Sequence, residues 1–402
     1  MKSILFVINT MGMGGGEIAM IELLRQLDME KYEISLLVLT GQGELIRKLP
    51  KKVNLLNKKY FPVSVLDWRG KIRLFKTVIK VMLFKGLVFK KMRYIIKNLK
   101  NMIEQGNIKK DKLLWKCISD GAQQLDQEYD LAIAYLEGAS AYYVASRVKA
   151  KKKAAFIHID YKLAGYNRML DEDCYLDFDR VYTVSENAKK VFLEVYPECK
   201  ERVAVFYDLI DRERIINNSK EKGGFSDDFD GIRILTVGRL VRQKAIDIAI
   251  DTMNILKHSQ KHFRWYVLGE GELRRKLEKQ IRTLGLEKDF ILLGTVDNPF
   301  PYYAQCDIYV HTSYFEGKGS IAIEEAQVLG CTIVASEHSS VREQIEDGVD
   351  GEICKLDSKT LAETILELAN HPQQMNAYSR AALEREQTDN QKEIEKLLEL
   401  IS

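Results

Sequence analysis

The chain has 402 residues, more than one hydrophobic core usually serves, so two domains are expected. With 46% hydrophobic and 30% charged residues and a net charge of only +3, it reads as a soluble globular protein without the basic excess that bulk nucleic-acid binding needs. Its six cysteines are far apart and form no C-x-x-C pair, which fits free thiols in a reducing cytosol better than a secreted disulfide framework.

Residues 1–8 form an apolar run too short to span a membrane, and no small-residue cleavage site follows. Residues 3–9 predict a first buried strand. It runs into Met11-Gly12-Met13-Gly14-Gly15-Gly16-Glu17 and then a helix with apolar positions at Ile18, Ile21, Leu24 and Leu27. A glycine turn from strand to helix lets the backbone approach a ligand with the helix N-terminus facing it. The dinucleotide fingerprint fails, because Glu17 holds the position of its last glycine. Strands at residues 32–39 and 53–56 continue an alternating β/α pattern.

Residues 68–103 have the most unusual composition. No acidic residue occurs in these 36 positions, while Arg69, Lys71, Arg73, Lys76, Lys80, Lys85, Lys90, Lys91, Arg93, Lys97 and Lys100 supply eleven positive charges. Apolar and aromatic residues interleave at roughly helical spacing, and lysines interrupt every apolar run, so the stretch lies on a surface instead of crossing it. Two readings compete: helices resting on an anionic membrane surface, or a helical insertion packed on its own domain with solvated lysines. The complete lack of acids favours the first. Nucleic acid is not expected as a partner, since no recognition module surrounds the segment.

Strands are expected at 130–135, 153–160, 180–185 and 202–207. His158 emerges at the carboxyl end of the second of these. Asp177-Phe178-Asp179 has the form of a metal-binding Asp-x-Asp but precedes a strand and lacks acidic partners, so a solvated charge run is expected and no metal. Residues 211–231 are polar, with Gly223-Gly224 and acids at Asp227, Asp228 and Asp230, and read as a linker.

The second half restarts with a strand at 232–237, a loop Gly238-Arg239-Leu240-Val241-Arg242-Gln243-Lys244 and a helix at 245–256. Arg239 brings a planar fork of donors to phosphate oxygens and Lys244 a point charge. Strands at 263–268 and 290–294 lead into turns at Gly269-Glu270-Gly271 and Thr295-Val296-Asp297. A strand-loop-helix-strand unit follows: a strand at 307–312, the loop Ser313-Tyr314-Phe315-Glu316-Gly317-Lys318-Gly319, an N-cap at Ser320, an apolar helix to Leu329 with Gly330 as its stop, and a strand at 331–336. Such a unit aims free helix N–H groups at the carboxyl edge of a parallel sheet, where anions bind. Glu316 and Glu324 add two acceptor-only carboxylates, suited to a ligand with both phosphate and hydroxyls, such as a nucleotide sugar. After a strand at 352–354 the rest reads helical.

The Glu316-x7-Glu324 spacing, the Arg239 to Lys244 loop, the Gly14-Gly15-Gly16-Glu17 loop and Phe156-Ile157-His158-Ile159-Asp160-Tyr161 occur in the order of family 4 glycosyltransferases, which the chain resembles. The resemblance implies an α/β GT-B architecture, two Rossmann-like parallel-sheet domains facing a central cleft. Its bounds are an acceptor domain at 1–210 with the basic insertion 68–103, a linker at 211–231, a nucleotide-sugar domain at 232–375, and terminal helices at 376–402 crossing back to the first domain. It further implies a retaining transfer from a nucleotide sugar, a UDP-sugar above others, to a glycan or lipid-linked acceptor in bacterial cell-surface polysaccharide synthesis, with neither metal nor other cofactor. His158, Glu316, Arg239 and Lys244 are then the catalytic set. Gly15, Gly16, Val296, Gly319, Ser320, Ile321 and Glu324 join Arg239, Lys244 and Glu316 in holding the donor. Two departures stand out: Ala245 where the family has Gly, and Asp208-Leu209-Ile210-Asp211 in place of its Asn-Gly turn. The protein is expected in the cytoplasm, peripheral on the inner face of the plasma membrane. The alternatives are a soluble GT-B disaccharide synthase or phosphorylase and a non-catalytic GT-B subunit that binds a glycan or partner protein.

Overall fold

The computed structural model describes residues 1–65, 67–84, 88–104, 110–316, 320–385 and 389–401. The chain forms two compact units, Met1–Leu209 with Thr388–Ser402, and Ile210–Gln387.

Unit 1 is built on seven parallel strands: β1 (Lys2–Ile8), β2 (Tyr32–Val38), β3 (Asn54–Leu55), β4 (Glu128–Ala134), β5 (Lys149–Ile157), β6 (Arg180–Thr183) and β7 (Val203–Val205), ordered β3-β2-β1-β4-β5-β6-β7. Unit 2 carries six more: β8 (Ile232–Val237), β9 (Phe263–Leu268), β10 (Phe290–Gly294), β11 (Ile308–His311), β12 (Thr332–Ser336) and β13 (Glu352–Cys354), ordered β10-β9-β8-β11-β12-β13. The central strands are near-continuous apolar runs, as strands covered on both faces must be. In each unit the strand order reverses once, between β1 and β4 and between β8 and β11. Ligands of open parallel sheets bind at the carboxyl ends flanking such a reversal.

Three expectations need correction. The strand that carries His158 begins at Lys149, not Lys153, and ends at Ile157; its first half alternates exposed lysines and reads as polar loop in the sequence. Residues 211–231 are not a linker. Asp211 caps a helix, Arg212–Ser219, by accepting from the Arg214 N–H at 2.9 Å, and Ile215 of that helix is buried in the unit 2 core. Asp227 then takes the Tyr266 hydroxyl at 2.6 Å and the Arg264 and Arg233 guanidiniums at 2.8 and 3.3 Å. Those partners lie outside the segment, so its own composition hides that it is pinned.

The terminal helices also divide. Pro372–Glu384 stays with unit 2, where the Ser379 hydroxyl donates to the Gly330 carbonyl at 2.7 Å. Asn390–Leu398 and the turn Glu399–Ile401 belong to unit 1: the Tyr182 hydroxyl donates to the Lys396 carbonyl at 2.6 Å and the Tyr207 N–H to Glu393 at 3.1 Å. The basic stretch 68–103 forms two helices, Trp68–Phe84 and Val88–Glu104. All six cysteines are free.

Candidate functional site

In unit 2 the turn after β8 is strapped to the loop after β11. The Tyr314 N–H donates to the Gln243 carbonyl at 2.9 Å, the Thr312 hydroxyl to the Lys244 carbonyl at 2.7 Å and the Ser313 hydroxyl to the Gln243 carbonyl at 3.1 Å. Ser336, at the end of β12, accepts the Ser313 N–H at 2.8 Å and donates back to its carbonyl at 2.9 Å. Residues some seventy positions apart are thereby fixed against one another at the reversal point.

The strap delivers the Lys244 ammonium onto a carboxylate oxygen of Glu316. Gln243 donates to the other oxygen at 3.1 Å and to the Phe315 carbonyl at 2.7 Å, and His311 lies 3.3 Å from the first. Glu316 is 8% exposed. Burial opposes its ionisation, but Lys244 and His311 outweigh burial and hold its carboxyl well below the usual carboxylate range. His311 is itself driven down by burial and by Lys244, so it is neutral at pH 7. Lys244 balances a buried anion here, a role the sequence reading did not give it.

Arg239 differs from Lys244. It is exposed on the same turn and has no ion pair among the described residues, so its guanidinium is not committed to a carboxylate there. Ala245 ends the turn with φ +48°, in the left-handed region, and is fully buried. This is the physical reason a glycine suits the position.

The helix Ile321–Val328 starts after Ser320, whose side chain makes no cap. Ser320 and Ile321 are at the carboxyl edge of β11 and β12, where the helix presents its first N–H groups. Gly319 lies outside the described residues. Gln344 donates to Glu324 at 3.1 Å, while Glu325, the next residue, accepts the Tyr303 hydroxyl at 3.0 Å. Two adjacent carboxylates therefore meet different partners, a choice that spacing alone does not resolve. Val296 follows β10, half-buried against the unit 2 core. The preceding turns are knit tightly: Gly269 has φ +144°, and a Cβ there would sit 2.0 Å from the Gly238 carbonyl oxygen.

Sequence reasoning missed Gln243, His311, His338 and Ser340. His311 and His338 follow the strand-end signal used for His158, being the last residue of β11 and two residues past β12. His338 is 7% exposed; Ser340 lies 3.4 Å from its Nδ1, and its Nε2 has no partner among the described residues. Burial and the neighbouring His311 lower its pKa to about 4.

Unit 1 gathers its own set. The helix Gly15–Gln26 begins at the end of β1. A Cβ on Gly16 would come within 2.7 Å of Leu136 and 3.6 Å of the His158 ring, so glycine lets the helix start lie against the histidine. His158 packs on Tyr135 with ring centroids 4.9 Å apart, and its backbone N–H donates to the Glu137 carboxylate at 3.2 Å. Thr10 donates to Glu17 at 2.9 Å. Asp179, of the Asp-Phe-Asp run, accepts from the Lys153 N–H at 2.8 Å and pairs with Lys152, and so serves β5.

Residues 217–385 match the family model described as glycosyl transferases group 1. That stretch lies within unit 2 and contains Arg239, Lys244, Val296, Glu316 and Glu324. Among curated relatives, the chain is 29% identical over 194 residues to the N-acetylgalactosamine-N,N'-diacetylbacillosaminyl-diphospho-undecaprenol 4-alpha-N-acetylgalactosaminyltransferase of Campylobacter jejuni, covering 48% of this chain and 51% of that protein. It is 32% identical over 146 residues to the amylovoran biosynthesis glycosyltransferase AmsK of Erwinia amylovora, covering 34% and 36%. The chain thus spans about half or less of the length of these relatives. The crystal structure of Anabaena Alr3699/HepE in complex with UDP-glucose matches across 99% of both chains with a TM-score of 0.68 at 16% identity. The α/β architecture of two Rossmann-like parallel-sheet units is accordingly that of GT-B glycosyltransferases, as expected from the sequence.

Proposed function

We propose that the chain is a retaining, family 4 glycosyltransferase that takes a sugar from a UDP-sugar to a hydroxyl of a lipid-linked or other glycan acceptor in bacterial surface-polysaccharide synthesis. The observation that carries this reading is the buried Lys244–Glu316 pair at the β8/β11 reversal, beside the Ile321–Val328 helix start and the exposed Arg239. A buried, ionised and immobilised carboxylate is a strong acceptor for sugar hydroxyls. Arg239 and the helix N–H groups suit a diphosphate, with Lys244 shared between Glu316 and the phosphate.

In the proposed reaction the bond from the sugar's anomeric carbon to the diphosphate breaks, with its electron pair passing to the phosphate oxygen. The acceptor hydroxyl then bonds to that carbon from the same face and loses its proton to the departing phosphate. Arg239, Lys244 and the backbone at Gly319, Ser320 and Ile321 stabilise the charge that develops. His158, beside Gly16 in unit 1, is assigned to the transferred sugar and Gly15, at the same helix start, to the donor; Val296 is assigned to the base through its backbone. No step uses a metal. Similarity to the diphospho-undecaprenol-dependent enzyme of Campylobacter jejuni supports a lipid-linked acceptor, and the Anabaena complex supports UDP-glucose or a related donor.

The test is thermal stabilisation by a panel of UDP-, GDP-, ADP- and dTDP-sugars, repeated on Glu316→Gln, Glu324→Ala and Glu325→Ala. A ligand that binds only the folded state raises the midpoint by mass action. A shift with UDP-sugars that Glu316→Gln reduces, and that one of the two helix variants removes, supports the reading and shows which helix carboxylate holds the donor. No shift with any donor turns it toward the non-catalytic alternative, and turnover with free sugar or inorganic phosphate turns it toward the synthase or phosphorylase.

A further inference from the structure

The helices Trp68–Phe84 and Val88–Glu104 each carry an apolar face wider than their own domain covers, with an inner, packed stripe and an outer, exposed one. The inner stripe is accounted for. Val78, Tyr94 and Met102 are buried in the unit 1 core with Leu74, Ile95 and Leu99 against it, and the Tyr94 hydroxyl donates to the Leu170 carbonyl at 2.7 Å. The outer stripe has no such cover. Trp68, Ile72, Phe75 and Ile79 follow one another at helical spacing and are 64, 46, 65 and 38% exposed. Met92, Ile96 and Ile103 repeat the pattern on the second helix.

Exposed cations flank both outer stripes. Lys71, Lys76, Arg93 and Lys97 have no carboxylate partner among the described residues, and Arg69 lies over the Trp68 ring at 5.3 Å. No helix among the described residues is long and apolar enough to cross a membrane. Exposed aromatic and aliphatic side chains between uncompensated cations match the boundary of an anionic bilayer, where rings enter the acyl region and ammonium groups stay at the headgroups.

We infer that these two helices are a membrane-docking face that seats unit 1 on the anionic, cytoplasmic leaflet. A second copy fits poorly, because a two-fold contact through this face sets the same unpaired cations against each other. Nucleic acid would use the charge and leave seven apolar side chains in water. The inference rests on the proposed glycosyl transfer only in that a lipid-linked acceptor would be presented at such a surface.

The test uses the full chain with vesicles of phosphatidylcholine alone or mixed with phosphatidylglycerol, read by co-sedimentation and by quenching of Trp68 with brominated lipid, Trp68→Phe being the fluorescence control. Expected are partition onto the anionic vesicles only, weakening with salt, and quenching that disappears in Trp68→Phe. Neutralising one cation lowers the partition about fivefold, and Lys71→Gln/Lys76→Gln/Arg93→Gln together lower it roughly a hundredfold. Phe75→Ser/Ile79→Ser, at exposed positions that leave the core intact, reduces partition and quenching together. Equal binding to both vesicle types, no quenching, or a lipid-free dimer that shields Trp68 overturns the inference. UDP-sugar stabilisation on the same samples reads the donor site separately. Donor binding without vesicle binding overturns this inference alone, and vesicle binding without donor binding leaves it standing while removing the proposed transfer.

Discussion

Among the buried carboxylates, one in each unit has a strongly shifted pKa, and these two have opposite fates. Glu316 in unit 2 is held by Lys244, Gln243 and His311 and stays ionised. Asp171 in unit 1 is 1% exposed, accepts the Tyr142 hydroxyl at 2.7 Å and has no cation beside it among the described residues. Burial, only partly opposed by the Tyr142 hydrogen bond and reinforced by Glu137, raises its pKa to about 8, so it is protonated at pH 7. A strap that brings a cation to the same depth makes the difference. Burial alone silences an acid, whereas burial with a fixed counter-charge yields a rigid anion ready for a ligand.

The largest effect that would break this contrast lies at Asp171. Its folded pKa is raised above the unfolded value near 4, so between pH 4 and 8 the unfolded chain releases a proton that the folded chain keeps. Stability therefore falls as pH rises through that window, by up to about 5 kcal/mol. Asp171→Asn keeps the acceptor for Tyr142 and should flatten the loss; urea midpoints of both proteins at pH 5 and 8 measure it, and parallel slopes would place a cation near Asp171 after all.

At Glu316 the corresponding change is Lys244→Ala, which leaves a buried charge unpaired and should cost about 3–5 kcal/mol. Lys244→Met/Glu316→Gln should regain most of that in the same urea experiment, because the cost comes from the orphaned charge more than from the lost pair. If the double variant is as unstable as the single, the strap and not the charge is what matters.

His338 sharpens the comparison from the other sign. Its folded pKa, about 4, lies below the unfolded value near 6.5, so the unfolded chain takes up a proton first as pH falls. Stability is full above about pH 6.5 and declines toward pH 4, by about 3 kcal/mol. His338→Gln should remove that slope and leave the Asp171 slope unchanged. The smallest effect is Ala245→Gly, which relieves a left-handed alanine at φ +48° and should stabilise unit 2 by about 1 kcal/mol, seen as a higher urea midpoint with an unchanged m-value.

Much of this was legible because local rules agree with the fold. Apolar runs of strand length and glycines at strand ends mark elements independently of distant partners, whereas Ser320, the one cap expected from the sequence, makes no side-chain cap. The basic, acid-free composition of 68–103 likewise needs no partner to be noticed. The segment 211–231 misled for the converse reason: Asp227 reads as a linker acid until Arg264 and Tyr266 are seen beside it.

The sequence by itself determined the alternation of strands and helices, the two-unit α/β plan and which loops lie at the carboxyl edges, since these follow from short-range periodicity and turn chemistry. Only the tertiary structure decided that Lys244 spends its charge on Glu316, that Glu324 and Glu325 face different neighbours, that His311 lies against Glu316 with His338 beside it, and that the helices of 68–103 keep apolar side chains outside. Each of these depends on which residues far apart in the chain meet, and on how deeply water is excluded where they do; neither quantity is written in local sequence.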